Sequence, residues 1–177
     1  MSVLEFAIQR LRSDHAPALL AFERENRAYF ATTVPDRGDA YFAEFDARHR
    51  ALLDEQESGE IIFHVLVAAD GEIVGRVNLV DVADGAAELG YRVAESATGR
   101  GVATRGVREV CRLAAEEYGL RRLIARASPD NAPSRAVLAR VGFGAVGSVI
   151  LDDGLPGIAY ELDLGGSFGR ARSGTSS

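Results

Sequence analysis

The sequence has a single cysteine, Cys111, so no disulfide can form within the chain. Its three histidines, His15, His49 and His64, are too scattered to suggest a metal-ligand set, and no metal is expected. No apolar run approaches the roughly 20 residues that a membrane-spanning helix needs, and the opening MSVLEFAIQR lacks the pattern of a signal peptide. Basic residues are outnumbered 20 to 26 by acidic ones, for a formal charge of −6, so the cation excess of a general nucleic-acid binder is missing. These absences point to a reducing, cytoplasmic setting, with neither membrane nor nucleic acid as partner. Two familiar phosphate loops are absent as well. There is no third glycine to complete G-x-G-x-x-G, and no Gly-Lys-Ser/Thr to make a P-loop.

What is present suffices for one domain with a real core: 177 residues, 47% of them hydrophobic. The domain is expected over 1–164. The Gly/Ser-rich tail GGSFGRARSGTSS, 165–177, reads as disordered. The most informative stretch is Leu89 to Tyr118. Leu89, Tyr91 and Val93 alternate as one strand face. After Thr98-Gly99-Arg100-Gly101-Val102-Ala103-Thr104, apolar residues recur at helical spacing: Ala103, Val107, Val110, Cys111, Ala114, Tyr118. A strand that enters a helix through small residues leaves backbone N–H groups of the first helical turn unpaired. Together with the positive end of the helix dipole, they suit a phosphate or pyrophosphate. Gly99, Gly101 and Ala103 add no bulk, and Arg100 adds a charge. A tight turn with no ligand is the other reading of those glycines. Cys111, on the helix's apolar face, reads as a packed thiol.

Along the chain, 4–12 reads as a strand, 16–30 and 40–57 as helices, and 61–69, 72–82 and 86–94 as a meander turned at Asp70-Gly71 and Asp84-Gly85. The long helix then runs to about Gly119. A strand at 121–127, a helix at 132–141 and two strands at 145–151 and 158–164 complete the chain. This order predicts a mixed α/β (α+β) fold. Its sheet has about seven strands, mostly antiparallel, with two helices before the meander and a central β-α-β-α unit whose strands are parallel neighbours.

That order, with TGRGVAT at the strand–helix turn and NAPSRAVLARVGF about 30 residues later, resembles the GNAT superfamily of acyl-CoA-dependent N-acyltransferases over roughly residues 4 to 164. The family loop is Gln/Arg-x-x-Gly-x-Gly/Ala, and Thr98 to Ala103 departs from it only at Thr98. Because the family holds the pyrophosphate mainly with backbone amides, that departure is expected to be tolerated. Asn131-x-x-Ser134-x-x-x-Leu138-x-x-x-Gly142-Phe143, together with Glu25-Asn26-Arg27 and Glu88-Leu89-Gly90-Tyr91, is similar to the RimJ/RimL-like branch, which modifies N-terminal amines of ribosomal proteins. The resemblance implies acetyl-CoA as co-substrate, held by the amides of Gly99, Arg100, Gly101, Val102, Ala103 and Thr104. It also implies a pantetheine arm lying along the backbone of Tyr91 and Val93, with the side chain of Asn131 bonding to that arm. The acyl group would sit where the strands at Val93 and Ile124 splay apart. A homodimer through the last strands is compatible with the resemblance.

Acetyl transfer to an amine requires removal of a proton from the amine, stabilisation of the oxyanion and protonation of the departing thiolate. The tyrosine that many of these enzymes place seven residues after the asparagine is Leu138 here. The resemblance to the RimJ/RimL-like enzymes, where a serine stands at this place, implies Ser134 as the acid; it could alternatively be a helix-start serine bonded to backbone. Glu88 is the candidate base, acting through water, or else an exposed strand glutamate. Glu25 and Asn26 could orient the amine or simply form a solvated helix end, and Asn78 and Asp81 are further candidates. His64, among Ile-Ile-Phe and Val-Leu-Val, reads as a satisfied core histidine. A cleft made acidic by Glu23, Glu25, Asp81 and Glu88 would favour a cationic amine, and a wide groove would favour a peptide. The leading function is acetyl-CoA-dependent N-acetylation of a primary amine, a protein N-terminus or small molecule. The alternatives are use of a longer acyl-CoA such as succinyl-CoA, a non-catalytic CoA-binding sensor, and a nucleotide-binding domain unrelated to CoA.

Overall fold

The computed structural model describes residues 3–165, so most of the expected tail lies outside the described residues. Its centre is a seven-stranded sheet ordered β1-β2-β3-β4-β5-β7-β6. The strands are β1 (Phe6–Arg10), β2 (Ile62–Ala68), β3 (Ile73–Ala83), β4 (Ala86–Val93), β5 (Arg122–Ala127), β6 (Gly144–Ile150) and β7 (Pro156–Asp163). Every neighbouring pair is antiparallel except β4 and β5. This is the expected mixed architecture. The parallel pair is joined through helix α5 (Val102–Glu116), because parallel neighbours need a crossover while antiparallel ones need only a turn. The turn at Asp84-Gly85 has φ of 54° and 77°, the two positive values of a type I′ hairpin.

Two layers cover the sheet. On one face lie α5 and α6 (Ala132–Val141). The apolar stripe of α5 is fully buried: Val107, Val110, Cys111 and Ala114 are 0% exposed. Each buried valine contributes roughly 1.5–3 kcal/mol. Gly106 lets α5 approach the sheet closely, since a Cβ there would stand 2.9 Å from Leu66 Cδ1. On the other face the two expected helices are each broken. The first is α1 (Ala16–Glu25) and α2 (Arg27–Phe30), the second α3 (Asp39–Ala43) and α4 (Phe45–Ser58). At the first break the Asn26 side chain donates to Phe22 C=O at 2.9 Å and accepts the Glu95 N–H at 3.0 Å. An asparagine side chain that bonds backbone offers the chain an alternative to the helix ladder. Here it fastens the α1–α2 corner to the turn after β4. The second break is at Glu44, with φ −103° and ψ 16°.

His64 sits on β2 under α5 and is 0% exposed. Its Nδ1 faces Val77 C=O at 3.1 Å and must donate there, so Nε2 accepts from the Tyr118 hydroxyl at 2.7 Å. Both ring nitrogens of a neutral imidazole are thereby satisfied, and His64 is a core histidine as read from the sequence. Burial, with Arg10 as a lesser cause, pushes its pKa down to about 4. Above the ordinary value near 6.5 the ring is neutral in both folded and unfolded chains, and stability is unaffected. Below it the unfolded chain binds the proton first. Stability is therefore expected to fall by on the order of 3 kcal/mol between about pH 6.5 and pH 4. An NMR titration of His64 alongside urea unfolding at several pH values checks this. An imidazole titrating near 6.5 in the folded protein would refute it.

Candidate active site

The parallel pairing of β4 with β5 is short: Ala86 opposite Arg122, Ala87 opposite Leu123, Glu88 opposite Ile124. β4 continues to Val93 and β5 to Ala127 without pairing further. Ala94 N–H donates to Val74 C=O on β3 at 2.9 Å. By strand alternation the backbone groups of Leu89, Tyr91 and Val93 then point the opposite way, toward β5, and those of Tyr91 and Val93, beyond the last pairing at Glu88, face the gap. A cavity of about 720 Å³ opens here. It draws walls from both faces of the sheet. Tyr91, Asn131, Ser134 and Leu138 line it on the side of α5 and α6, and Glu88, Arg92 and the loop Thr32–Pro35 on the other. Leu151, Asp152, Asp153 and Leu155, between β6 and β7, close a third side. The strands were expected to splay at Val93 and Ile124. On β4 the gap instead begins just after Glu88, because the pairing of Glu88 with Ile124 is the last.

The glycine loop precedes α5. The Thr98 hydroxyl donates to Glu95 C=O at 2.6 Å, and Gly101 is the N-cap with φ +73°. That left-handed conformation strains any residue with a Cβ. The helix ladder begins where Arg105 N–H donates to Gly101 C=O at 3.0 Å, so the N–H groups of Val102, Ala103 and Thr104 project from the helix end. A Cβ at Gly99 would meet nothing within 4 Å, and one at Gly101 only Arg105 Nε at 4.0 Å. The backbone is open to a ligand of phosphate chemistry, and the donor set fits one. The loop is not part of the cavity wall.

Of the residues singled out from the sequence, the cavity brings together Ser134, Glu88, Tyr91 and Asn131. Asn131 Oδ1 accepts the Ser134 N–H at 3.3 Å and caps α6. The cap uses Oδ1, so bonding to a ligand falls to Nδ2. The hydroxyl of Ser134 partners the Tyr91 phenol, whose pKa burial raises. Glu88 Oε1 accepts from Arg126 Nε at 2.6 Å, and Arg126 also reaches Asp152 at 3.5 Å. The bond it donates to Glu88 raises the pKa of Arg126.

Three substrate-binding candidates lie off the cavity wall. Glu25 is exposed at the end of α1, Asn26 is 8% exposed with both ends of its amide bonded, and Asn78 sits on β3 opposite Gly90, its Oδ1 buried without a partner. The expected acidic cleft needs the same correction. Glu23 is 1% exposed and bound by arginines, and Asp81 is exposed at the bulge that interrupts the β3–β4 ladder, with φ 51°. Sequence reasoning missed Arg92, Arg126 and the Tyr91 hydroxyl as cavity groups. Arg92 shared a strand face with Glu88 by period-2 alternation, and that signal could have found it.

The family profile described as the acetyltransferase (GNAT) domain matches residues 6–144. The probable N-acetyltransferase YjcK of Bacillus subtilis is 29% identical over 143 residues, 77% of this chain and 78% of that protein. Two solved structures share the fold. The ribosomal-protein-S5-alanine acetyltransferase of Vibrio fischeri superposes with a TM-score of 0.83 at 21% identity, covering 92% of this chain and 95% of that one. Mycobacterium smegmatis RimJ, in complex with CoA-disulfide, gives 0.80 at 24% identity, covering 92% and 86%.

The two residues at the start of α6 are separable. Asn131→Ala removes the cap and should cost about 1 kcal/mol of unfolding free energy. Ser134→Ala keeps the N–H that serves the cap, loses only the hydroxyl's bond to the Tyr91 phenol and should cost about 0.5 kcal/mol, the low end for one hydrogen bond. Urea unfolding of the two variants checks the difference, and equal losses would mean that the Ser134 hydroxyl is mainly a support of the fold.

Proposed function

The chain belongs to the GNAT acetyltransferase family, and from that premise we propose that it transfers an acetyl group from acetyl-CoA to a primary amine by direct attack within a ternary complex, with a protein N-terminus as acceptor. The observation that carries this reading is the cavity between β4 and β5, which draws walls from both faces of the sheet and so lets donor and acceptor approach from opposite sides. Acetyl-CoA supplies the activated acyl group. The chain's own residues bind it, orient the amine and move two protons.

The amides of Gly99 to Thr104, with the Arg100 charge, receive the pyrophosphate at the N-terminus of α5. The backbone groups of Tyr91 and Val93, turned into the gap, pair with the pantetheine arm as an added strand would. Asn131 Nδ2 donates to the arm. An N–H on this edge, near Val93, polarises the thioester carbonyl. In this reading Ser134 protonates the departing sulfur, backed by the Tyr91 phenol, whose pKa burial raises. On the opposite face Glu88 retains Oε2 for the amine proton, directly or through water, while Arg126 holds Oε1. Catalysis by positioning accounts for much of the rate in such a site.

The Vibrio fischeri enzyme is named for an alanine of ribosomal protein S5; at 21% identity that likeness speaks for the fold, and the N-terminal acceptor is our reading of the open cavity. A cytoplasmic location accords with it. Among the described residues no helix is long and apolar enough to cross a membrane. The edge strand β6, with Val146 58% and Ile150 64% exposed, is where a homodimer would form.

Calorimetric titration with acetyl-CoA, beside desulfo-CoA and the variant Gly101→Glu/Ala103→Glu, tests the binding step. Wild type should bind and the variant should not, because two carboxylates then occupy the anion position. Ser134→Ala should lower kcat by roughly tenfold to a hundredfold with little change in acetyl-CoA affinity. Wild type that fails to bind acetyl-CoA would sink the acyltransferase reading. Binding without thiol release from any amine would make the chain a CoA sensor.

A further inference from the structure

The acceptor side of the cavity is backed by an unusual charge arrangement. Glu23 of α1 is 1% exposed and faces three guanidinium groups: Arg76 of β3 at 2.7 Å, Arg37 at 3.2 Å and Arg92 of β4 at 3.4 Å. One carboxylate therefore meets three cations, an excess of two positive charges in a half-buried site. Their side chains are only 11%, 23% and 20% exposed for Arg76, Arg37 and Arg92. The nearby carboxylates Asp36 and Asp39 are bound to Arg27, each at 2.8 Å, and do not join the cluster. Arg76 Nε is buried without a hydrogen-bond partner. Burial and the neighbouring Arg37 push the pKa of Arg92 down to about 10, and that of Arg76 falls for the same reasons. Arg92 stays cationic at neutral pH, and guanidinium groups in general are not deprotonated in proteins. Aromatic rings give partial relief: Arg92 lies 4.9 Å from the Phe30 ring centre, Arg76 4.5 Å from Phe63 and Arg37 4.7 Å from Tyr41. A quadrupole does not neutralise a net charge, and uncompensated cations taken out of water favour a further anion.

Arg92 connects this cluster to the cavity, whose wall it lines. It shares a strand face with Glu88, four residues away, or roughly 13 Å at a strand rise near 3.3 Å per residue. The two ends of the acceptor wall thus differ in sign. At the end next to the β4–β5 pairing Glu88 and Asp152 share the single guanidinium of Arg126, which leaves one negative charge in excess for an ammonium group, and Arg92, with Arg76 and Arg37 behind it, stands at the other end and suits a carboxylate.

We propose that the acceptor is a peptide N-terminus with an aspartate or glutamate among its first few residues, whose carboxylate is received by Arg92 at the cavity wall. The separation of the two ends exceeds that between the amine and carboxylate of a free amino acid, and an extended peptide spans it. Arg92 is then a specificity-determining residue, and the excess charge of the Glu23 cluster is completed by the substrate. This rests on the acyltransferase reading and names its substrate class.

The test uses the full chain with CoA or acetyl-CoA and three fluorescent peptides sharing an N-terminal alanine and followed by Asp-Glu, Ser-Gly or Arg-Arg, plus free glutamate. Acetyl-CoA affinity is measured first and separately, so a failure of the acyltransferase reading is recognised as loss of that binding. Peptide affinity in the CoA complex is read by anisotropy, which needs no turnover, and kcat/KM is read by thiol release. The acidic peptide should be preferred over the basic one by about tenfold or more, the range of a charge-assisted hydrogen bond in a half-buried site. Arg92→Gln should reduce that ratio to about threefold or less, mainly through KM, and Arg92→Lys should restore part of it, since it keeps the charge without the fork. Thermal melting of both variants separates loss of selectivity from loss of fold. Equal binding of the three peptides, a preference for the basic peptide or for free glutamate, or full acidic selectivity in folded Arg92→Gln would each overturn the proposal.

Discussion

A parallel strand pair that stops after three residues governs this molecule. β4 and β5 are held together from Ala86–Arg122 to Glu88–Ile124 and then diverge. Beyond that point β5 keeps its antiparallel partner β7, while β4 keeps only β3. In a continuous sheet the backbone groups of Tyr91 and Val93 would be hydrogen-bonded to β5, and the two faces would be sealed from each other. The divergence leaves Tyr91 and Val93 with no strand beside them on that edge and joins the two faces through one cavity. The placement of Tyr91 and Ser134 on one side and of Glu88 and Arg92 on the other has functional meaning only because the sheet is open between them.

The surrounding structure holds that gap open. α5 is drawn onto the sheet by a fully buried apolar stripe and by the small Gly106, which packs on Leu66 of β2, and this fixes the position of its N-terminus and the glycine loop. Asn131 caps α6, keeping Ser134 half-buried against Tyr91. On the opposite face the broken helix at Asn26 is tied to the turn after β4, and its neighbour Glu23 gathers Arg76, Arg92 and Arg37. A straight helix through residues 16–30 would leave Glu95 N–H without the Asn26 bond. All 20 basic residues of the chain are arginines, and the guanidinium fork suits both the buried pairing with Glu23 and the stacking on Phe30, Phe63 and Tyr41.

The sequence resolved some parts of the site and blurred others. Gly99-x-Gly101 ahead of an amphipathic run announced a helix end with projecting amides, because that feature depends only on local backbone and on periodicity. Ser134, three residues after Asn131, could be placed at the start of α6 for the same reason. Glu25 and Glu23 looked alike from the sequence, two carboxylates near a helix end. Helical phase turns Glu25 outward and buries Glu23 at 1% exposure. Asp81 was lost to a bulge that period-2 counting does not reveal.

Composition and periodicity alone determined the strand and helix order, the antiparallel meander, the parallel β4–β5 crossover and the apolar face of α5, since these follow from 2.0- and 3.6-residue repeats and from turn residues adjacent in the chain. Only the tertiary structure decided where β4 leaves β5, how the two long helical stretches break, and which charges meet. Arg37, Arg76 and Arg92 converge on Glu23 from a loop and two strands, up to 69 residues away along the chain. Whether a glutamate is a solvated surface charge or the buried centre of three arginines is set by contacts between segments, and no local pattern encodes the desolvation that makes those contacts matter.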